Sequence, residues 1–144
     1  MYDLILKGGR VIDPSQDMDG TFDVAFKSGK VSKVATNIST EKTLDVRNVS
    51  GKIVCPGLID LHTHVYWGGT SLGVDAEEIA RRSGTTTFVD AGSAGAGNIL
   101  GFRKHVVERT TPRILAYLNI SFPGIYAFSK NVMVGECGDL RLLD

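Results

Sequence analysis

The chain is poor in cysteine, has no excess of either charge and opens without a long apolar run, and each shortage removes a class of protein. Its two cysteines, Cys55 and Cys137, lie far apart and without CxxC spacing. That excludes a disulfide framework and a thiolate zinc site, and both read as plain buried or half-buried thiols. Lys plus Arg number 16 and Asp plus Glu also number 16, so no net field draws the chain to nucleic acid or to an anionic membrane. A small molecule is the expected partner. The opening MYDLILKGG has no basic leader and only a very short apolar run, unlike a signal peptide or a membrane span; the cytoplasm is the default location. What is present is ordinary: 144 residues, 42% hydrophobic and 22% charged, enough for one packed globular domain.

The first fifty or so residues read as strands. Tyr2, Leu4 and Leu6 alternate with Asp3, Ile5 and Lys7, and Gly8-Gly9 stands before Arg10-Val11-Ile12, which predicts a hairpin ended by Asp13-Pro14. After a polar stretch, Phe22, Val24 and Phe26 alternate with Asp23, Ala25 and Lys27, and Ser28-Gly29 turns the chain into Val31. A short strand follows around Leu44 and Val46, and Ser50-Gly51-Lys52 makes the next turn. The expectation is a small β layer of about five short antiparallel strands with no residue cluster that suggests chemistry.

The period changes from Ile53 onward, and here the chemistry concentrates. In PGLIDLHTH, Pro56-Gly57 turns into a run whose even positions are Leu58, Asp60, His62 and His64. Side chains of a strand alternate faces at about 3.3 Å per residue, so His62 and His64 share a face roughly 6.6 Å apart along the chain, with Asp60 one step below. An apolar strand that points a carboxylate and two imidazoles to one side must solvate them or pair them, and a shared metal ion is the simplest pairing. A glycine-rich loop over residues 66–73 precedes a helix over residues 75–83. Asp75 caps it with Glu78 three residues on; Ala76, Ile79 and Ala80 form its apolar stripe, and Gly84 closes it. Residues 85–90 make a second strand, and Asn98 caps a helix running to Arg109 with Ile99, Phe102 and Val106 on one face. After Thr111-Pro112, residues 113–121 make a third strand. Strand, helix, strand, helix, strand implies a parallel sheet. Residues 122–135 read as a lid, and Asp139 opens what looks like another helix.

In order, the segments ILKGGRVIDP, GKVSKVA, GKIVCPGLIDLHTH and RRSGTTTFVDAGS resemble the N-terminal portion of a metal-dependent amidohydrolase. The stretches HTHVYWGG, DAGSAGAGN and ILAYLNIS are most similar to its amidohydrolase/deacetylase, dihydroorotase-like branch. The resemblance implies an α/β chain: the first part of a (β/α)8 TIM-like barrel over residues 53–144, incomplete here, preceded by the N-terminal part of a small β-sandwich over residues 1–52. It implies hydrolysis of an amide or ester bond by zinc-activated water, with one or two Zn2+ ions at the C-terminal strand ends, where barrels place their chemistry. His62 and His64 then ligate the more buried ion, and Asp60 is placed behind them, its other reading being a satisfied buried carboxylate. A carboxylated lysine bridging the metals, two further histidines and an acid/base aspartate are expected beyond Asp144. Lys130 precedes any fourth strand and His105 lies off the apolar stripe of its helix, so neither joins this set.

Two departures qualify the resemblance. Dihydroorotases carry an arginine two residues after the second histidine to grip a substrate carboxylate, and here that position is Tyr66; deacetylation of an N-acyl or O-acyl substrate is therefore the preferred expectation. A complete barrel takes about 250 residues, so the chain is expected to be an N-terminal fragment, inactive alone because two imidazoles are half of a zinc ion's four ligands. The alternatives are a complete short, non-catalytic α/β protein whose open strand edges make it self-associate as a homo-oligomer, and a nucleotide-binding domain. The latter would use the turn Gly92-Ser93-Ala94-Gly95-Ala96-Gly97, but its order is GxxGxG, with Leu100 where the last glycine of GxGxxG would fall.

Overall fold

The computed structural model describes residues 1–125. The expected lid beyond residue 125, Lys130, Cys137 and the helix opening at Asp139 lie outside the described residues. The chain divides into two compact units, Met1–Pro56 and Gly57–Asp144.

The first unit is a five-stranded sheet. Strands β1 (Tyr2–Asp13), β2 (Met18–Lys27), β3 (Lys30–Ala35) and β4 (Thr43–Asn48) run in the order β3-β2-β1-β4, and β5 (Ile53–Val54) continues alongside β1. Ser28, at φ 52°, and Gly29, at φ 73°, form the expected two-residue turn between the antiparallel β2 and β3. Two expectations fail here. The strands are not all antiparallel, since β4 and β5 both pair with β1 in parallel; the chain returns to β1 only after passing through β2 and β3, a path long enough to reverse direction. Nor does Gly8-Gly9 make a hairpin. It lies inside the continuous β1, where the pairing with β2 slips between Leu6 and Gly9. Gly8, at φ 72°, supplies the positive φ of a bulge rather than of a turn, and its N–H donates to Asp23 Oδ1 at 2.9 Å. Ile5, Ala25 and Ile38 form the core of this unit.

Asp23 is buried at its centre and accepts from Lys7 Nζ at 2.6 Å and from the N–H of Ile38 at 2.9 Å. Burial pushes its pKa up, but the Lys7 hydrogen bond, the Ile38 and Gly8 N–H bonds and the Lys7 charge together hold it below the ordinary carboxylate value. Cys55, expected to be at least half-buried, is exposed just after the end of β5.

The second unit is a parallel three-stranded sheet in the order β6-β7-β8, built from β6 (Leu58–Thr63), β7 (Thr85–Asp90) and β8 (Arg113–Ala116), with α1 (Ala76–Ser83) and α2 (Ile99–His105) as crossovers. Phe88 and Ile114 from the strands meet Ala76 of α1, Phe102 and Val106, with Val65 and Ala94 closing the core from the loops. Each large apolar side chain so buried contributes about 1.5–3 kcal/mol. The edge strand β6 keeps its apolar residues open: Leu58 is 52%, Ile59 61% and Leu61 72% exposed. The described residues form no closed barrel.

The helix signals hold with local corrections. Asp75 caps α1 by accepting from the Glu77 N–H, and Gly84 ends it at φ 75°. Glu78 pairs with Arg82 at 2.7 Å instead of reaching back to the cap, and Ile79 is 38% exposed, so the stripe narrows to the buried Ala76 and the partly buried Ala80. The helix after Asn98 is α-helical only to His105 and tightens into a 3-10 turn at Val107–Arg109; His105 is exposed, as expected. The β8 ladder stops at Ala116 rather than Ser121, because Asn119 turns its backbone N–H to Ala94 O at 2.9 Å and its side-chain amide to Gly92 O at 2.9 Å.

Candidate metal centre

His62 and His64 lie at the C-terminal end of β6, next to the end of β7. Simple alternation does not describe this strand, since its pairing with β7 slips between Leu58 and Ile59 and again between Asp60 and Thr63. A slip of this kind re-aims the side chains beside it. The two rings nevertheless face one another edge to face, with centroids 5.7 Å apart and planes at 79°. Two imidazoles on one tetrahedral zinc have ring centres about 5 Å apart, close to the separation seen here. Among the described residues no group of three or more His, Cys, Asp or Glu side chains could hold a metal.

The rings differ in their surroundings. His62 is exposed, and among the described residues its ring has no hydrogen-bond partner. His64 is half-buried, and its Nδ1 lies 3.0 Å from Ser93 Oγ, which leaves Nε2 free. Asp60 is exposed rather than buried, and its Oδ1 accepts from the backbone N–H of His62 at 3.2 Å instead of touching either ring.

Sequence reasoning passed over two residues here. Asp90, the last residue of β7, is fully buried; its Oδ2 accepts from the Val65 N–H at 2.8 Å and its Oδ1 from the Ser93 N–H at 2.6 Å. Ser93 itself is buried and partners His64. The available signal was an aspartate at a strand end followed shortly by a glycine and a serine, residue types that favour a turn in which a side chain bonds nearby backbone.

Tyr66 is turned away from the imidazole pair. Its ring packs on Phe102 at 4.7 Å, and its hydroxyl donates to Asn98 O at 3.4 Å. The glycine-rich turn is likewise occupied by the chain itself. A Cβ at Gly95 would strike the backbone of Ser121, Phe122 and Gly124, and one at Gly97 would strike the Phe122 ring. The Gly95 N–H donates to Asn98 Oδ1, that of Gly97 to Phe122 O and that of Ser93 to Asp90. Three of the N–H groups a phosphate would need are thus taken up by the chain itself, which weighs against the nucleotide-binding reading.

Parallel β/α units with two histidines at the end of one strand are the arrangement against which the comparisons are read. No family model matches the chain. A deacetylase from Brucella anthropi is 36% identical over 129 residues, 88% of this chain and 31% of its own length. A dihydroorotase from Geobacter sulfurreducens is 40% identical over 142 residues, covering 96% of this chain and 33% of the relative. A crystal structure of a dihydroorotase superposes with a TM-score of 0.85 at 27% identity, over 99% of this chain and 38% of that one. The chain belongs to the amidohydrolase family, and what it matches is the N-terminal part of such proteins. It spans about a third of the length of the curated relatives it matches.

Proposed function

We propose that the whole protein is a metal-dependent hydrolase of amide or ester bonds, of the deacetylase type, and that this chain supplies the first strands of its barrel. In the same reading residues 1–52 are part of a β-sandwich and residues 53–144 the start of the barrel. The observation that carries the proposal is the facing pair His62 and His64 at the end of a parallel strand, 5.7 Å apart between ring centres.

The two imidazoles would hold one side of a zinc ion, leaving its other positions to ligands outside the described residues. When bound, zinc supplies Lewis acidity towards a carbonyl and a hydroxide-like nucleophile near neutral pH. The chain's own part is to aim the two donors. His64 is braced through Ser93, and His62 is held at its backbone by Asp60, which acts through the main chain. A carboxylated lysine bridging a second ion, and the acid/base aspartate, would come from elsewhere in the protein. The fragment alone is inactive in this reading, and the protein is cytoplasmic; among the described residues no helix is long and apolar enough to cross a membrane.

Deacetylation is preferred to dihydroorotase chemistry because Tyr66 occupies the position of the carboxylate-gripping arginine and its ring is committed to Phe102. A panel of N-acetyl amino acids, acetylated hydroxy acids and cyclic imides, assayed with added zinc, tests this. Turnover of acylated substrates is expected, and turnover confined to cyclic imides would reverse the preference. In a His62→Ala, His64→Ala protein, zinc content and turnover should fall by more than the 10- to 100-fold typical of losing a residue that merely supports a ligand. Unchanged zinc and unchanged turnover would end the hydrolase assignment.

A further inference from the structure

We propose that Ser93 is a positioning residue for His64: its hydroxyl oxygen accepts the Nδ1 proton, so that Nε2 presents its lone pair to the metal. The inference rests on the metal reading above and deepens it, giving the contact between Ser93 and His64 a chemical task.

A neutral imidazole carries one proton on two nitrogens, and only the bare nitrogen can ligate. Which nitrogen is bare depends on what the other one meets. Here the structure gives Nδ1 a partner 3.0 Å away and gives Nε2 none among the described residues. A serine hydroxyl can donate or accept, so the contact by itself permits either tautomer; Ser93 serves the useful one by keeping an acceptor oxygen at Nδ1, which requires that Ser93 and His64 are themselves held still. They are held by one group. The fully buried Asp90 bonds Ser93 N–H through Oδ1 and Val65 N–H, immediately after His64, through Oδ2, at 2.6 and 2.8 Å. On the other side of the histidine, Thr63 O accepts from the Ala91 N–H at 2.8 Å, and Thr63 Oγ1 donates to Val89 O at 3.2 Å. The residues on both sides of His64 are thus pinned to the end of β7, and the same carboxylate pins its hydroxyl partner. His62 shares the Thr63 anchor, but among the described residues its ring has no hydrogen-bond partner.

Ring-nitrogen NMR of the metal-free protein tests the hydrogen bond directly, and zinc titration tests its use. In the unaltered protein His64 should carry its proton on Nδ1. In Ser93→Ala that preference should be lost, zinc affinity should fall by about 10- to 100-fold, and the His62 ring signals should stay in place. Ser93→Thr, which keeps a hydroxyl, should restore both. If His64 has the same tautomer in Ser93→Ala as in the unaltered protein, with zinc bound equally well by each, this inference is overturned and the metal reading stands. If zinc perturbs neither ring in the unaltered protein, the metal reading itself is overturned.

Discussion

Asp23 in β2 and Asp90 at the end of β7 are both almost wholly buried, and each accepts main-chain N–H bonds from two separate segments. Asp23 joins the bulge at Gly8 to Ile38 and adds a cation, Lys7, whose side chain is 31% exposed. Asp90 joins the residue after His64 to Ser93 with no cation among its described partners. The same device therefore does two things. Beside segments without reactive side chains it is a clasp that holds a sheet in register. Beside a histidine and a serine it becomes the frame of a site. A buried carboxylate is a clue to function only through what its partners carry.

The largest effect should come from Asp90→Ala. It strands two buried N–H groups, each worth about 1–3 kcal/mol, for a loss of about 4 kcal/mol in chemical denaturation. Hydrogen exchange should quicken at Val65 and Ser93, and zinc affinity should drop along with stability. Asp23→Ala should cost somewhat less, about 3 kcal/mol, because the Gly8 N–H is only partly buried and Lys7 can reach water. Exchange should then quicken at Gly8 and Ile38, and the zinc affinity of the second unit should be unchanged. If Asp23→Ala weakens zinc binding as much as Asp90→Ala does, the distinction between clasp and frame collapses.

The pH dependence sharpens the same contrast. The native state holds the Asp23 carboxyl below its ordinary value, so on acidification the unfolded chain takes up the proton first. Its contribution is complete above about pH 4 and fades as pH falls through the lower native value. Urea titrations from neutral to acidic pH should show this limb, and Asp23→Asn should flatten it. Smallest of all is Asp75→Ala, which removes one cap bond to the Glu77 N–H and should lower stability by about 1 kcal/mol, with no change in zinc affinity.

Much of the second unit was legible because its signals are local. Asp75 and Gly84 bracket α1, and the β-branched run at residues 85–90 is β7. What escaped depends on partners far along the chain. Gly8-Gly9 suits a turn or a bulge equally, and the choice is made by Asp23, fifteen residues on. The parallel pairing of β4 with β1 leaves no mark on either strand's own alternation. The rings of His62 and His64 stand 5.7 Å apart although the strand slips twice where strict alternation would place them on one face. Asp60 was placed behind the rings from that alternation, and the slip beside it leaves it exposed on the backbone of His62. Ser93 was hidden in plain view, since its role needs Asp90 to be buried, and burial of a strand-end aspartate cannot be read from its neighbours.

Gly95 and Gly124 allow the loops that follow β7 and β8 to meet main chain against main chain, with Ser93 O and Ala94 close to Gly124 on one side and Ser121 and Phe122 oxygens close to Gly95 on the other. The spacing of that rim is thus set by peptide groups, which every amino acid shares. A methyl group in place of either glycine's hydrogen would already strike the facing main chain, so the gap between these loops holds only while both positions stay glycine.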